Sequence, residues 1–135
     1  MNINTLRISG SALTAERIRL DTIAQNIANS QTTRGPDGRA YRRREVVFEA
    51  IPSGQPEAGG VRVTEVVESS APPERVYNPS HPDADAQGYV EMPNVNPVEE
   101  MVDMLAATRA YEANVAAVNA TRTLVARALD LGRQP

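Results

Sequence analysis

The chain contains no cysteine and no tryptophan, and its 135 residues include only four tyrosines and one phenylalanine. Without cysteine it has no disulfide framework, no thiolate metal ligand and no cysteine nucleophile. Aromatic residues make up 4% of the chain although hydrophobic residues reach 41%, so we do not expect a bulky globular core. Much of the hydrophobic fraction is alanine, which suits close contact between helices.

Lysine is also absent, so all 14 basic residues are arginine. With 17 acidic residues the formal net charge is −3, which argues against a general nucleic-acid-binding role. No apolar run approaches the length of a membrane span. The N-terminal stretch lacks a basic segment followed by an apolar one, so we expect no cleaved secretory signal.

Motifs that carry catalysis are missing too. We find no glycine-rich phosphate loop, no G-x-S-x-G elbow and no H-E-x-x-H pair, so no enzyme activity is predicted. The single histidine, His81, forms the pattern H-x-D-x-D with Asp83 and Asp85. That pattern could suggest a metal site, but no second histidine or cysteine completes a transition-metal shell. We therefore interpret the segment as a polar loop and predict neither metal nor cofactor.

Two charged clusters also have simple interpretations. The run Arg42 to Arg44 could bind phosphate, but alternate side chains of a strand face opposite ways, and the flanking Glu45 and Glu49 favour surface ion pairs. The acids Glu99, Glu100 and Asp103 could be paired catalytic carboxylates. Because they fall in the first turns of a predicted helix, we interpret them as complementing the helix dipole.

The first predicted helix extends from Ile3 to Asn29. Leucine or isoleucine recurs every seven residues, with Ile3, Gly10, Arg17 and Ala24 interleaved and Ile23 widening the stripe, which is the pattern of a coiled-coil seam. Gly10 and Arg17 weaken the seam and favour a heterotypic partner. The repeating residues are Leu6, Leu13, Leu20 and Ile27.

The second predicted helix begins at a clear signal. Asn96 is a good N-cap, Pro97 suits the first helical position, and Glu99 is spaced to close a capping box; Gly132 ends the helix. One seam reads Met101, Met104, Thr108, Tyr111, Val115, Val118, Arg122, Val125 and Leu129. A second, alanine-rich face reads Ala110, Ala117, Leu124 and Leu131, with Ala106, Ala113 and Ala120 nearby.

The middle of the chain is rich in proline and glycine. Tyr41–Phe48 and Val61–Val67 are predicted strands, residues 75–77 and 89–92 are shorter candidates, and residues 52–60 and 78–88 are loops. The predicted fold is mainly α with a small β insert, in which long terminal helices form an antiparallel coiled-coil pair. The predicted divisions are a helix over residues 1–30, the β-rich insert over 31–95, and a helix over 96–135 that joins the first in one helical domain.

Helices of this length leave apolar surface that so short a chain cannot cover, and two apolar faces on one helix imply two sets of neighbours. We therefore predict a component of an assembly. The predicted subunit-interface residues are Leu6, Leu13, Leu20, Ile23, Ile27, Met101, Met104, Tyr111, Val115, Val118, Val125 and Leu129.

Both ends of the chain resemble a known family. Ser9-Gly10 and the run Asn26-Ile27-Ala28-Asn29 with Thr32 resemble the entry motif of the flagellar rod and hook axial proteins. Residues 94–101 (NVNPVEEM) and 109–114 (RAYEAN) resemble the exit motif of the same family. The phrases YRRREVVFEA and NPSHPDADAQGYV, with the short total length, resemble its proximal rod branch of the C type.

The resemblance implies a structural subunit of the bacterial flagellar basal-body rod. Such a subunit is exported uncleaved by the flagellar type III apparatus, assembles helically in the periplasm with copies of itself and other rod proteins, and transmits torque. A soluble coiled-coil adaptor or regulator that binds a partner helix is the alternative. No nucleic acid, small-molecule substrate or cofactor is implied.

Overall fold

A computed structural model describes residues 3–52, 54 and 59–132 of the chain. Two long helices enclose four short strands in sequence, and both strand pairs are antiparallel. The predicted mainly α fold with a small β insert is confirmed. The elements are α1 (Ile3–Ala28), β1 (Arg44–Ala50), β2 (Val61–Glu68), β3 (Glu74–Tyr77), β4 (Tyr89–Met92) and α2 (Pro97–Leu131).

Helix α2 begins where the sequence predicts. The Oδ1 atom of Asn96 accepts a 3.0 Å hydrogen bond from the backbone N–H of Val98, and Pro97 occupies the first turn, so one otherwise unpaired amide is satisfied. The predicted capping box is wrong. Glu99 is exposed, and among the hydrogen bonds of the described residues none joins its carboxylate to the Asn96 backbone.

The two helices pack on each other, with the end of α1 beside the start of α2. Asn26 in the last turn of α1 donates to Glu100 in the first turn of α2. Helix α1 has 26 residues and α2 has 35, or about 40 and 50 Å, so the end of α2 extends past α1. Ala107 is completely buried, and its small side chain allows the helices to approach closely.

The buried stripe of α2 lies one position away from much of the predicted seam. Glu100, Ala107 and Thr121 are its buried residues, and Asn114 between them is half-buried. The predicted positions one residue later include Met101 and Arg122, which are exposed. The buried stripe of α2 therefore consists largely of polar and small side chains, which hydrophobic periodicity does not detect.

Strands β1 and β2 form a hairpin that packs against α1. Their register runs from Arg44 opposite Glu68 to Ala50 opposite Val61, with an irregularity between Val47 and Phe48. The backbone N–H of Val61 donates a 3.1 Å bond to the Ser11 hydroxyl of α1. Strand β1 begins three residues after the predicted Tyr41, because its paired register with β2 starts at Arg44 opposite Glu68. Before that pair one 2.7 Å bond, from the backbone N–H of Ser69 to the carbonyl of Arg43, continues the contact.

Strands β3 and β4 form a second, separate pair, as predicted for residues 75–77 and 89–92. The rings of Tyr77 and Tyr89 lie edge to face with centroids 5.3 Å apart. Residues 78–88 between the strands contain turns and bends but no helix or strand, which confirms that loop. Most of the other predicted loop, residues 52–60, lies outside the described residues.

Candidate functional site

An exposed apolar stripe covers the first two turns of α2. Its four large side chains are between 52% and 67% exposed. They are spaced by three, four and seven positions, so they lie on one side of the helix. We call this stripe the outer face; its residues are Val98, Met101, Val102 and Leu105.

The outer face lies opposite the side of α2 that packs on α1. Each residue of a helix is rotated by about 100° from the one before. Leu105 precedes the fully buried Ala107 by two positions, and Val98 precedes the buried Glu100 by two, so each pair is separated by about 200°. A single helix thus carries a packed face and an unpacked apolar face on opposite sides.

The predicted interface residues fall into three classes of exposure. Ile23 is buried in the packed part of α1. Met101, Tyr111 and Leu129 are exposed, the last being 61% accessible. The half-buried members are Leu6, Leu13, Leu20, Ile27, Met104, Val115, Val118 and Val125. Of the interleaved positions in α1, Gly10 is half-buried, Arg17 and Ala24 are exposed, and the side chain of Ile3 lies outside the described residues.

The alanine-rich face predicted on α2 is largely uncovered. Its only half-buried member is Ala110, whereas Leu124 and Leu131 near the end of the helix are 65% and 73% exposed. The other exposed members are Ala106, Ala113, Ala117 and Ala120. Exposed apolar surface therefore continues from the outer face to the end of α2 that extends past α1.

A buried polar junction lies where α1, β1 and α2 meet, and Asn26 is at its centre. Its Oδ1 atom accepts 2.9 Å bonds from the backbone N–H of Arg44 and from the hydroxyl of Tyr41. Its Nδ2 atom donates to the backbone carbonyl of Arg44 at 2.9 Å and to Oε2 of Glu100 at 3.0 Å. Because a backbone donor and a backbone acceptor are both engaged, the orientation of the amide is determined.

The carboxylate of Glu100 is the charged group of the junction. Glu100 and Asn26 are each 1% exposed. The second carboxylate oxygen, Oε1, accepts a hydrogen bond from Nε of Arg43, whose other nitrogens pair with Glu45 and with Asp103. The junction thus compensates a buried charge with an ion pair and an amide hydrogen bond, as a buried carboxylate requires.

Two pKa values report on the junction. Burial acts to lower the pKa of the Arg43 guanidinium, but its hydrogen bond to Glu100 and the charges of the surrounding carboxylates outweigh burial and raise that pKa. Burial raises the pKa of the Tyr41 hydroxyl, so the phenol remains the proton donor to Asn26. The charge states therefore match the hydrogen bonds observed.

The H-x-D-x-D segment is a structured loop. Nδ1 of His81 accepts a 3.0 Å hydrogen bond from the backbone N–H of Asp83. The carboxylate of Asp83 accepts a 2.7 Å hydrogen bond from the hydroxyl of Thr33 and forms an ion pair with Arg34 at 3.5 Å. Asp85 pairs with an arginine of β3. Within residues 3–52, 54 and 59–132, no three potential metal-binding side chains cluster and no helix is long and apolar enough to span a membrane.

Sequence reasoning missed the junction and part of the outer face. By its position in the sequence, Glu100 is interpreted as complementing the helix dipole. Its partners lie 57 and 74 residues away, and no local sequence pattern predicts contacts at that separation. The outer face did leave a signal, since Val98, Val102 and Leu105 join Met101 at helical spacing. Among the described residues, the predicted ion pairs between the arginine run and its flanking acids are right only for Arg43 with Glu45. Glu49 pairs instead with Arg62, and Arg43 also reaches the buried Glu100.

The chain matches two protein families, one at each end. Residues 6–36 match the family described as flagella basal body rod protein. Residues 86–131 match the family described as flagellar basal body rod FlgEFG protein C-terminal. The first match contains Asn26 and the second contains Glu100 and the outer face, so both sides of the junction fall in matched segments.

Whole-length relatives have one description in common. The chain is 46% identical to the flagellar basal-body rod protein FlgC of Escherichia coli O6:H1, covering 97% of this chain and 98% of the relative. It is 41% identical to FlgC of Bacillus subtilis, covering 96% and 97% over 146 aligned positions, and 41% identical to FlgC of Aquifex aeolicus, covering 94% of each. The chain therefore belongs to the FlgC family of flagellar basal-body rod proteins.

Proposed function

We propose that this chain is a structural subunit of the flagellar basal-body rod, in which the outer face of α2 contacts a neighbouring rod subunit. The observation that carries the proposal is a helix with two opposite faces, of which only one is covered within the chain. Four large apolar side chains in two turns form a contiguous surface, and such surfaces typically mark protein contacts.

The geometry favours assembly over chemistry. The buried carboxylate of the junction is compensated by Asn26 and Arg43 and lies between packed elements. The exposed surface is instead apolar and lies along a helix, which is how a helix presents itself to a partner helix. The long, uncovered end of α2 adds a second surface for neighbours. Copies of this chain and other rod proteins are the proposed occupants of these faces.

The finer parts of the proposal derive from family membership and from the paired terminal helices. We propose an antiparallel coiled-coil pair, helical assembly in the periplasm, uncleaved export through the flagellar type III apparatus, and transmission of torque along the rod. Mass spectrometry of this subunit from isolated basal bodies tests the export step. The expected mass is that of the uncleaved chain, and loss of an N-terminal segment would contradict uncleaved export.

The outer face is tested by Leu105→Asp. Leu105 is 65% exposed on the side away from α1. The substitution should therefore change the free energy of unfolding of the free chain by no more than about 0.5 kcal/mol. A carboxylate at a buried subunit contact costs several kcal/mol, so complementation of a null strain should fail in soft agar and no rods should form. Gln31→Glu, which adds the same charge at an exposed position of the turn after α1, outside both proposed surfaces of α2, should swim.

Two results would contradict the proposed contact. One is normal swimming by the Leu105→Asp strain. The other is loss of swimming by both variants, because that would mean that an added negative charge is harmful wherever it lies on the surface. Circular dichroism and immunoblotting of both purified variants confirm that each is folded and produced.

A further inference from the structure

We infer that the buried pair Asn26–Glu100 sets the register of α1 against α2. The two side chains are each 1% exposed and are joined by a 3.0 Å hydrogen bond at the start of the helix pair. This inference concerns the internal order of one subunit and does not depend on the proposed contact between subunits.

The apolar part of α1 is poorly suited to specify a register. Leu6, Leu13, Leu20 and Ile27 repeat every seven residues and are all half-buried. A slide of seven residues places each of them, apart from the terminal one, where a similar side chain was before. Such a slide covers two turns, about 10 Å along the helix. Apolar packing alone therefore discriminates weakly between the native pairing and its displaced copies.

The Asn26–Glu100 pair discriminates strongly between the native and the displaced registers, because it can form in only one of them. In any displaced register Glu100 would face a different part of α1, and its carboxylate would lose the amide of Asn26 while remaining between the helices. Burying a carboxylate without its partners carries a large free-energy penalty. A single buried polar residue sets register in coiled coils by the same physical mechanism.

The hydrogen bonds of the junction also tie the native register of the two helices to the position of the β1–β2 hairpin. Asn26 has all four hydrogen-bonding capacities engaged, two of them with the backbone of Arg44, the first residue of β1. Arg43, immediately before that strand, holds the other oxygen of Glu100. The amide that Glu100 needs is thus positioned by β1, and its counter-charge comes from the same strand entry.

The test compares Glu100→Leu with Glu100→Gln in the full chain. Since the protein has no cysteine, spin labels attach only at introduced cysteines, and Ala24 in α1 and Ala116 in α2 are exposed positions for them. Distances between the labels are measured by pulsed electron paramagnetic resonance in dilute frozen solution. The double-cysteine parent and the glutamine variant, which retains an acceptor for Asn26, are expected to give one distance population.

The leucine variant is expected to give at least one additional population, displaced by up to about 10 Å. It should retain its helical circular dichroism, because leucine is compatible with packing between helices. One unchanged distance in Glu100→Leu would overturn the inference, as would unfolding of that variant, because the pair would then maintain association rather than register. Several distances in Glu100→Gln or in the parent would also overturn it.

Discussion

Nδ2 of Asn26 donates a 3.0 Å hydrogen bond to Oε2 of Glu100 across 74 residues of sequence. Asn26 belongs to the Asn-Ile-Ala-Asn run of the N-terminal family segment, and Glu100 follows Pro97 in the C-terminal one. The bond joins the two ends of the chain where the hairpin enters. The bond therefore lies on the side of α2 that packs on α1, opposite the exposed outer face.

Asn26→Asp should destabilise the free chain strongly. The substitution removes two donated hydrogen bonds and places a second carboxylate beside the buried Glu100. Disrupting a buried charged network in this way costs about 3–5 kcal/mol. Urea denaturation at neutral pH measures the loss. Asn119→Asp at an exposed position of α2 should change the free energy of unfolding by less than about 0.5 kcal/mol, and equal effects of the two variants would disprove the importance of the junction.

The elements that could be predicted from the sequence are those set by local signals. Asn96 and Pro97 fix the start of α2 through their own backbone chemistry, and the alternating residues of β2 indicate a strand without further information. The predicted start of β1 was wrong because it depends on the register with another segment, which begins at Arg44 opposite Glu68. Local pattern thus predicts the kind of element better than its limits.

The candidate site was predictable only in part, for the same reason. The excess of apolar surface on α2 follows from spacing alone, so a second face was expected. Which side turns inward depends on Glu100 and Thr121, two polar residues that a hydrophobic pattern places outside. The partners of Glu100 lie in α1 and before β1, and no rule of sequence spacing brings those segments together.

Gly88→Ala should destabilise the β3–β4 unit. Gly88 has a φ of +85°, and a Cβ atom there would lie 2.9 Å from Cε2 of Tyr77 and 3.2 Å from Pro79. The backbone strain alone costs about 1–3 kcal/mol. Gly10→Ala is the matched control, since a Cβ meets nothing within 4 Å in that helix and alanine favours helix by up to about 1 kcal/mol. The two variants should shift Tm in opposite directions, and a neutral Gly88→Ala would contradict the close packing.

The turn before β4 should loosen in acid. The backbone N–H of Tyr89 is the main cause that lowers the pKa of Asp85 below its ordinary 3.8, supported by Gln87 and Arg75 and opposed by burial. Because the folded-state pKa is lowered, the stabilisation is present above 3.8 and is lost as the pH falls through the folded value.

An NMR titration of the Asp85 carboxyl and the Gly88 amide tests this dependence on pH. The carboxyl midpoint is expected below 3.8, and the amide should shift together with it. In Asp85→Asn the amide should lose that transition. A carboxyl midpoint at or above 3.8 would show that the turn does not favour the charged form.

Added length between the hairpin strands should be tolerated. Gly54 is exposed, and lengthening a surface loop adds only a slowly growing closure entropy. The B. subtilis relative aligns over 146 positions, more than the 135 residues here, so that relative has additional residues within the aligned region. Inserting three Gly/Ser residues after Gly54 should leave swimming of a complemented null strain largely intact. Loss of rods with normal protein levels would place an assembly contact in this loop.

A cryo-electron microscopy map of the basal body that contains this subunit tests the central claim most directly. The predicted result is a rod in which the outer face of α2, comprising Val98, Met101, Val102 and Leu105, is buried against a neighbouring subunit while Ala107 remains packed on α1 of the same chain. An outer face that is exposed to solvent throughout the assembled rod would contradict the account.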